Sequence, residues 1–101
     1  MAGLDHAVEL IRDAKTIAVV GVSSKPDRAS NEVAKYLIDA GYQVYLVNPM
    51  ETEIFGMPVY DSVQALPEPV DIVDIFRRPE DVPPVVADAI AAGAKTVWSG
   101  P

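Results

Sequence analysis

The chain has 101 residues, half of them apolar, enough for one domain with a single core. Its net charge of -7 argues against nucleic acid, whose phosphates need a basic surface. Cysteine is absent and His6 is the sole histidine, which excludes disulfides and thiol nucleophiles and argues against a thiolate or imidazole metal site.

The first expected element is a helix over residues 4–14, capped by Asp5, with Leu4, Val8 and Ile11 on one face. His6 falls near its start, as a solvated histidine would. This N-terminus has no basic region followed by an apolar stretch, and no run of eighteen apolar residues occurs anywhere. The expectation is no secretion signal, no membrane span and a cytoplasmic location.

Strand one is expected over residues 16–22. Ile17, Ala18, Val19 and Val20 form a short run rich in β-branched residues, as in a parallel strand covered on both faces. Gly21 follows; without a Cβ it lets the backbone turn sharply and approach a ligand. Val22, Ser23, Ser24 and Lys25 lead through Arg28 to Ser30, a candidate N-cap for a helix over residues 31–40 that begins at Asn31. Hydroxyl, ammonium and guanidinium donors thus precede a helix N-terminus, which is a site for an anion. The same stretch fits an ordinary βα connection, and it lacks the full G-x-G-x-x-G fingerprint.

Val33, Ala34, Leu37 and Ile38 form the stripe of that helix, and Gly41 ends it. Strand two covers residues 43–47 and stops at Asn48-Pro49. A loop is expected over residues 50–58, then a short strand at Val59-Tyr60 and a brief helix through Leu66, capped by Asp61 or Ser62. Residues 70–76 form the next strand and Arg77-Arg78-Pro79 turns into a helix. Pro83 and Pro84 fit only in its first turn, and the helix runs to Ala92. Residues 95–98 make the last strand.

Alternating strands and helices specify an α/β fold: a Rossmann-like doubly wound parallel sheet in three layers, with strand order 3-2-1-4-5. Ligands of such sheets bind beyond the strand carboxyl ends where the order reverses. Three loops meet there: residues 21–30, Asn48 to Met50, and Phe76 to Pro79. Of eight Lys and Arg residues, four (Lys25, Arg28, Arg77 and Arg78) lie in two of these loops. An acidic chain with its cations gathered at one sheet edge is built to hold an anion there. Lys25 and Arg28 are the favoured phosphate contacts, and of the adjacent pair Arg77 and Arg78 at most one is expected to enter the site.

The end of strand two discriminates among nucleotides. NAD-binding domains usually carry Asp or Glu there for the ribose hydroxyls. Asn48 departs from that pattern and leaves room for a phosphorylated ribose, although turn formation is its commoner role. Asp74, inside a buried strand, requires hydrogen-bond partners or a raised pKa, and a structural partner is the favoured reading. Asp71 is expected to be solvated and Trp98 to lie in the core. No Ser/His/Asp or Cys/His set exists, and no carboxylate pair is placed at a common site.

In combination, several segments carry a family resemblance. They are residues 16–23, Val47-Asn48-Pro49, residues 54–60, residues 70–77 and residues 93–98. The chain resembles a CoA-binding domain of the small stand-alone bacterial type, related to the nucleotide-binding domain of the succinyl-CoA synthetase α subunit. The resemblance implies coenzyme A as ligand. It implies that Gly21 to Arg28, with Ser30 and Asn31, hold the pyrophosphate. Asn48, Pro49 and Met50 would lie at the adenosine end, with Phe76, Arg77 and Arg78 along the other wall. Such members generally continue past the last strand with a further helix and strand, so the chain is expected to be a shortened form. The catalytic histidine of the acyl-CoA synthetase relatives lies in a later domain and has no counterpart here. The expected function is therefore binding of CoA or an acyl-CoA with no evident catalyst. An NAD(P)-dependent oxidoreductase fragment and a scaffold domain with a vestigial pocket are the alternatives. An uncovered last strand, with Val97 and Trp98 adding apolar surface, further implies self-association.

Overall fold

The computed structural model describes residues 14–99. The helix expected over residues 4–14 lies, but for Ala14, outside the described residues. Six strands form the sheet: β1 (Thr16–Val20), β2 (Gln43–Val47), β3 (Glu53–Ile54), β4 (Met57–Tyr60), β5 (Ile72–Ile75) and β6 (Thr96–Ser99). Their spatial order is β3-β4-β2-β1-β5-β6. With β3 set aside, this is the anticipated order, and all the remaining pairings are parallel.

The added strand corrects the loop expected over residues 50–58. Glu53–Ile54 pairs antiparallel with Met57–Tyr60. Phe55 and Gly56 join them with φ of 58° and 72°. Two consecutive positive φ values are those of a type I′ hairpin turn, whose twist matches that of its strands.

Alternation along each strand divides the core. Ile17 and Val19 of β1, with Val44 and Leu46 of β2, face α1 (Ala29–Asp39), which contributes Ala34 and Leu37. Ala18, Val20, Tyr45, Val47, Val73 and Ile75 face the other side. There they meet Ala89 of α2 (Val82–Ala91) and Val63 of a 3-10 turn over Val63–Ala65. These two apolar faces make the three layers. Pro83 and Pro84 sit in the first turn of α2, where a missing N–H leaves no helical bond unmade.

Two expectations about side chains change. Asp71 is not merely solvated: its carboxylate accepts from the Lys15 and Thr16 amides at 2.8 and 3.3 Å and pairs with Lys95 at 3.3 Å. Those bonds hold its pKa at about 2, the backbone amides contributing most. The carboxylate thus joins the start of β1 to the approach to β6. Val97 and Trp98 are half-buried on opposite sides of the edge strand. Val97 packs on the α2 side, while Trp98 lines a groove on the α1 side rather than the core.

Candidate functional site

At the carboxyl ends of β1 and β5 the chain divides around Gly21. The Gly21 amide donates to the Val47 carbonyl at 2.8 Å, and the Phe76 amide donates to the Val20 carbonyl at 2.8 Å. Gly21 has φ +85°, and a Cβ there would collide with the Phe76 carbonyl oxygen. Glycine is therefore required twice, by conformation and by the close approach of the two turns. Arg77 runs beside it, with Cδ 3.4 Å from where that Cβ would stand.

Gly21, Ser23, Lys25, Arg28, Ser30 and Phe76, all named from sequence, line one open cavity of about 390 Å³, joined by Ala29. The other named residues play different parts. Val22 is wholly buried and belongs to the α1-side core. Ser24 is exposed, and its amide donates to Glu51 Oε2 at 3.0 Å. Asn31 is buried, and its Nδ2 donates to the Ser23 carbonyl at 2.8 Å. Asn48 Nδ2 donates to the Val22 carbonyl at 2.8 Å, while its Oδ1 accepts from the Met50 amide at 2.9 Å. The latter bond is the turn role open to an asparagine before proline. Pro49 and Met50 are exposed beside it, Arg77 is half-buried and Arg78 is exposed.

Ser30 is not the N-cap. The helix starts at Ala29, with Arg28 in the capping position and no side-chain cap bond. Ser30 instead sits in the first turn, and its Oγ accepts from the Ser23 amide at 3.0 Å. The helix begins before the residue of best capping propensity because that hydroxyl is used across the loop.

These bonds decide which groups remain for a ligand. The amides of Ser23, Ser24 and Lys25 are all engaged, by Ser30 Oγ, Glu51 and Ser23 Oγ respectively. The loop is therefore closed on itself. An anion in the cavity would meet the Lys25 ammonium, the Arg28 guanidinium and the first two amides of α1, those of Ala29 and Ser30, whereas the Asn31 amide already donates to the Arg28 carbonyl. Glu51 lies on the Ser24 side of the loop, where its charge would oppose a phosphate. Glu51 was not among the residues singled out from sequence; nothing in its local pattern marks a contact 27 residues from Ser24.

Below the cavity, on the α1 face, an apolar groove of about 280 Å³ runs over β5 and β6. Its wall includes Val33, Tyr36, Phe76 and Trp98, with Ile17 and Ile72 at the far end. Asp74 opens into it at 8% exposure. The structural partner favoured for Asp74 is absent among the described residues, and burial raises its pKa to about 6. Phe76 borders both the groove and the cationic cavity. Among the described residues no three His, Cys, Asp or Glu side chains group to hold a metal, and no helix is long and apolar enough to cross a membrane.

A mostly parallel sheet covered by helices on both faces, with cations at the strand-order reversal, places the domain in the Rossmann-like α/β class. More narrowly, residues 15–101 match the CoA binding domain family, and the chain belongs to it. The uncharacterized protein YneT of Bacillus subtilis (strain 168) is 40% identical over 91 residues, which cover 90% of this chain and 67% of YneT. A hypothetical protein from Pyrococcus horikoshii OT3 superposes with a TM-score of 0.88 at 42% identity, over 93% of this chain and 66% of that one. The ADP-forming acetate–CoA ligase I of Archaeoglobus fulgidus is 38% identical over 74 residues, 73% of this chain but 11% of the ligase. The chain thus spans about two-thirds of the first two proteins and corresponds to one domain of the third.

Proposed function

We propose that this domain binds coenzyme A, with the pyrophosphate at Lys25, Arg28 and the first turn of α1. The adenosine end lies toward Asn48, Pro49 and Met50, and Phe76 and Arg77 form the opposite wall. The observation that carries this reading is the cationic cavity at the start of α1 in a chain of the CoA binding domain family. Helix N-termini and guanidinium groups complement phosphate charge, and Gly21 keeps the floor of the cavity low. Asn48 supports CoA over NAD: its amide is engaged on both ends, and it supplies no carboxylate for ribose hydroxyls. The proposed role is that of a binding module, the described lining of the cavity being cationic and hydroxyl groups suited to holding phosphate. Calorimetric titration with CoA, dephospho-CoA and NADH tests it. CoA is expected to bind most tightly. No heat from CoA at millimolar concentration, or tighter binding of NADH, would reject the reading.

A further inference from the structure

Three amides of the loop before α1 find acceptors inside the protein, and those acceptors differ in kind. Ser30 Oγ takes the Ser23 amide, and Ser23 Oγ takes the Lys25 amide. Both are neutral hydroxyls that belong to the loop and its helix. The Ser24 amide donates instead to a carboxylate, Glu51 Oε2, at 3.0 Å and from 27 residues away. Of the three acceptors it alone is charged, and its departure would leave the loop's own bonds intact.

A built turn delivers Glu51 to that position. The Glu51 amide donates to the Asn48 carbonyl at 3.2 Å, which closes the turn through Pro49 and Met50. Asn48 Oδ1 accepts from the Met50 amide, and Asn48 Nδ2 ties the turn to the Val22 carbonyl, just before Ser23. On the other side, the Thr52 carbonyl accepts from the Val59 amide at 3.1 Å. Glu51 is half-buried between exposed Met50 and exposed Thr52. Among the described residues it forms no ion pair, although Lys25 follows Ser24 directly. The carboxylate thus directs its charge to a backbone amide of the loop that carries the cations of the site.

A loop amide of this kind is what a phosphate-binding turn offers to its ligand. A carboxylate already placed on it satisfies the donor in the empty domain and opposes the approach of phosphate. Once released it recovers hydrogen bonds from water, so the exchange costs little.

We infer that Glu51 is a specificity-determining residue, competing with ligand phosphate for the Ser24 amide and weakening ligands in proportion to their charge. This rests on the CoA reading and deepens it: Lys25 and Arg28 act against Glu51 in setting how far the site prefers CoA to less charged relatives.

Glu51→Gln removes the charge and keeps an oxygen acceptor, while Glu51→Ala removes both. Calorimetry with CoA and dephospho-CoA compares them with the wild type, circular dichroism showing that each is folded. Each variant is expected to bind CoA about three- to tenfold more tightly than the wild type does. The gain should be smaller for dephospho-CoA, which carries less charge, and should shrink in added salt. The Ser24 amide resonance, followed by NMR, reports displacement directly. It should differ between the free wild type and free Glu51→Ala, and coincide once both are saturated with CoA. Should Glu51→Ala fail to fold, the Glu51→Gln affinities decide. CoA binding unchanged or weakened by Glu51→Gln, or a gain equal for the two ligands, would overturn the competition and leave the CoA cavity standing. A Ser24 resonance that still differs between the two proteins at saturation would overturn it as well. No binding of CoA to the wild type or to either variant would overturn both this inference and the CoA reading.

Discussion

Asp74→Asn separates the cost of a buried charge from everything else in the core. The carboxyl group is raised from 3.8 to about 6 by burial alone. At about 1.4 kcal/mol per unit, ionising it in the folded protein costs about 2–3 kcal/mol more than in the unfolded chain. The folded pKa lies above the unfolded one. Stability is therefore highest below about pH 4, falls as pH rises through about 6, and is flat beyond. Tyr36 is the other titratable side chain lining the groove. Asparagine keeps the shape and removes the titration. Its unpartnered amide adds a cost of about 1–3 kcal/mol, but one independent of pH. Urea unfolding of both proteins without ligand, in steps from pH 4 to pH 8, isolates the effect. The wild type should lose about 2–3 kcal/mol relative to the variant across that range. Parallel curves would refute the assignment and mean that Asp74 is partnered or solvated.

Gly21→Ala should destabilise the fold by about 1–2 kcal/mol from its left-handed backbone alone, and further from the clash with the Phe76 carbonyl. A thermal melt at the wild-type midpoint would contradict that geometry. Arg28→Ala should weaken CoA binding by about 1.5–3 kcal/mol and flatten its salt dependence, with an unchanged melting temperature. Equal salt slopes would deny a phosphate contact. Asp71→Asn should lower the melting midpoint at pH 7. The gap should close as pH falls from about 4 through about 2, because the native carboxylate has a depressed pKa there. A gap constant with pH would show that the Lys15, Thr16 and Lys95 contacts do not depend on the charge.

Much of the fold was legible because its signals are local. Ile17 to Val20, Val44 to Val47 and, but for Asp74, Ile72 to Ile75 are apolar runs bounded by turn residues, and right-handed crossovers then order them. Glu53–Ile54 escaped because two residues show no periodicity, and a phenylalanine at φ 58° does not announce a type I′ turn. The cations of the site could be counted from the sequence. Most of the bonds that set the loop could not, since they join residues well separated in the chain or are chosen against propensity. Ser30 has the chemistry of a cap and is used across the loop instead. Asp71 reads as solvated until the start of β1 and Lys95 are brought beside it.

Those loop bonds divide the site into two classes of residue with separable consequences. Asn31 and Asn48 spend their amides on the carbonyls of Ser23 and Val22, and Ser30 spends its hydroxyl on the Ser23 amide. The loop shape is therefore set before any ligand arrives, and binding need not offset the cost of ordering it. Lys25 and Arg28 form no ion pair among the described residues and stand exposed over the cavity. Truncating either should change affinity and leave the melt unmoved. Asn31→Ala should change both: it removes the donor to the Ser23 carbonyl, lowering stability by about 1–3 kcal/mol, and it weakens CoA through the loosened loop. A stabilising second change elsewhere in the domain would restore the Asn31→Ala melt without restoring its affinity. If affinity returned with stability, the loop would be shaped by the fold as a whole rather than by these three side chains.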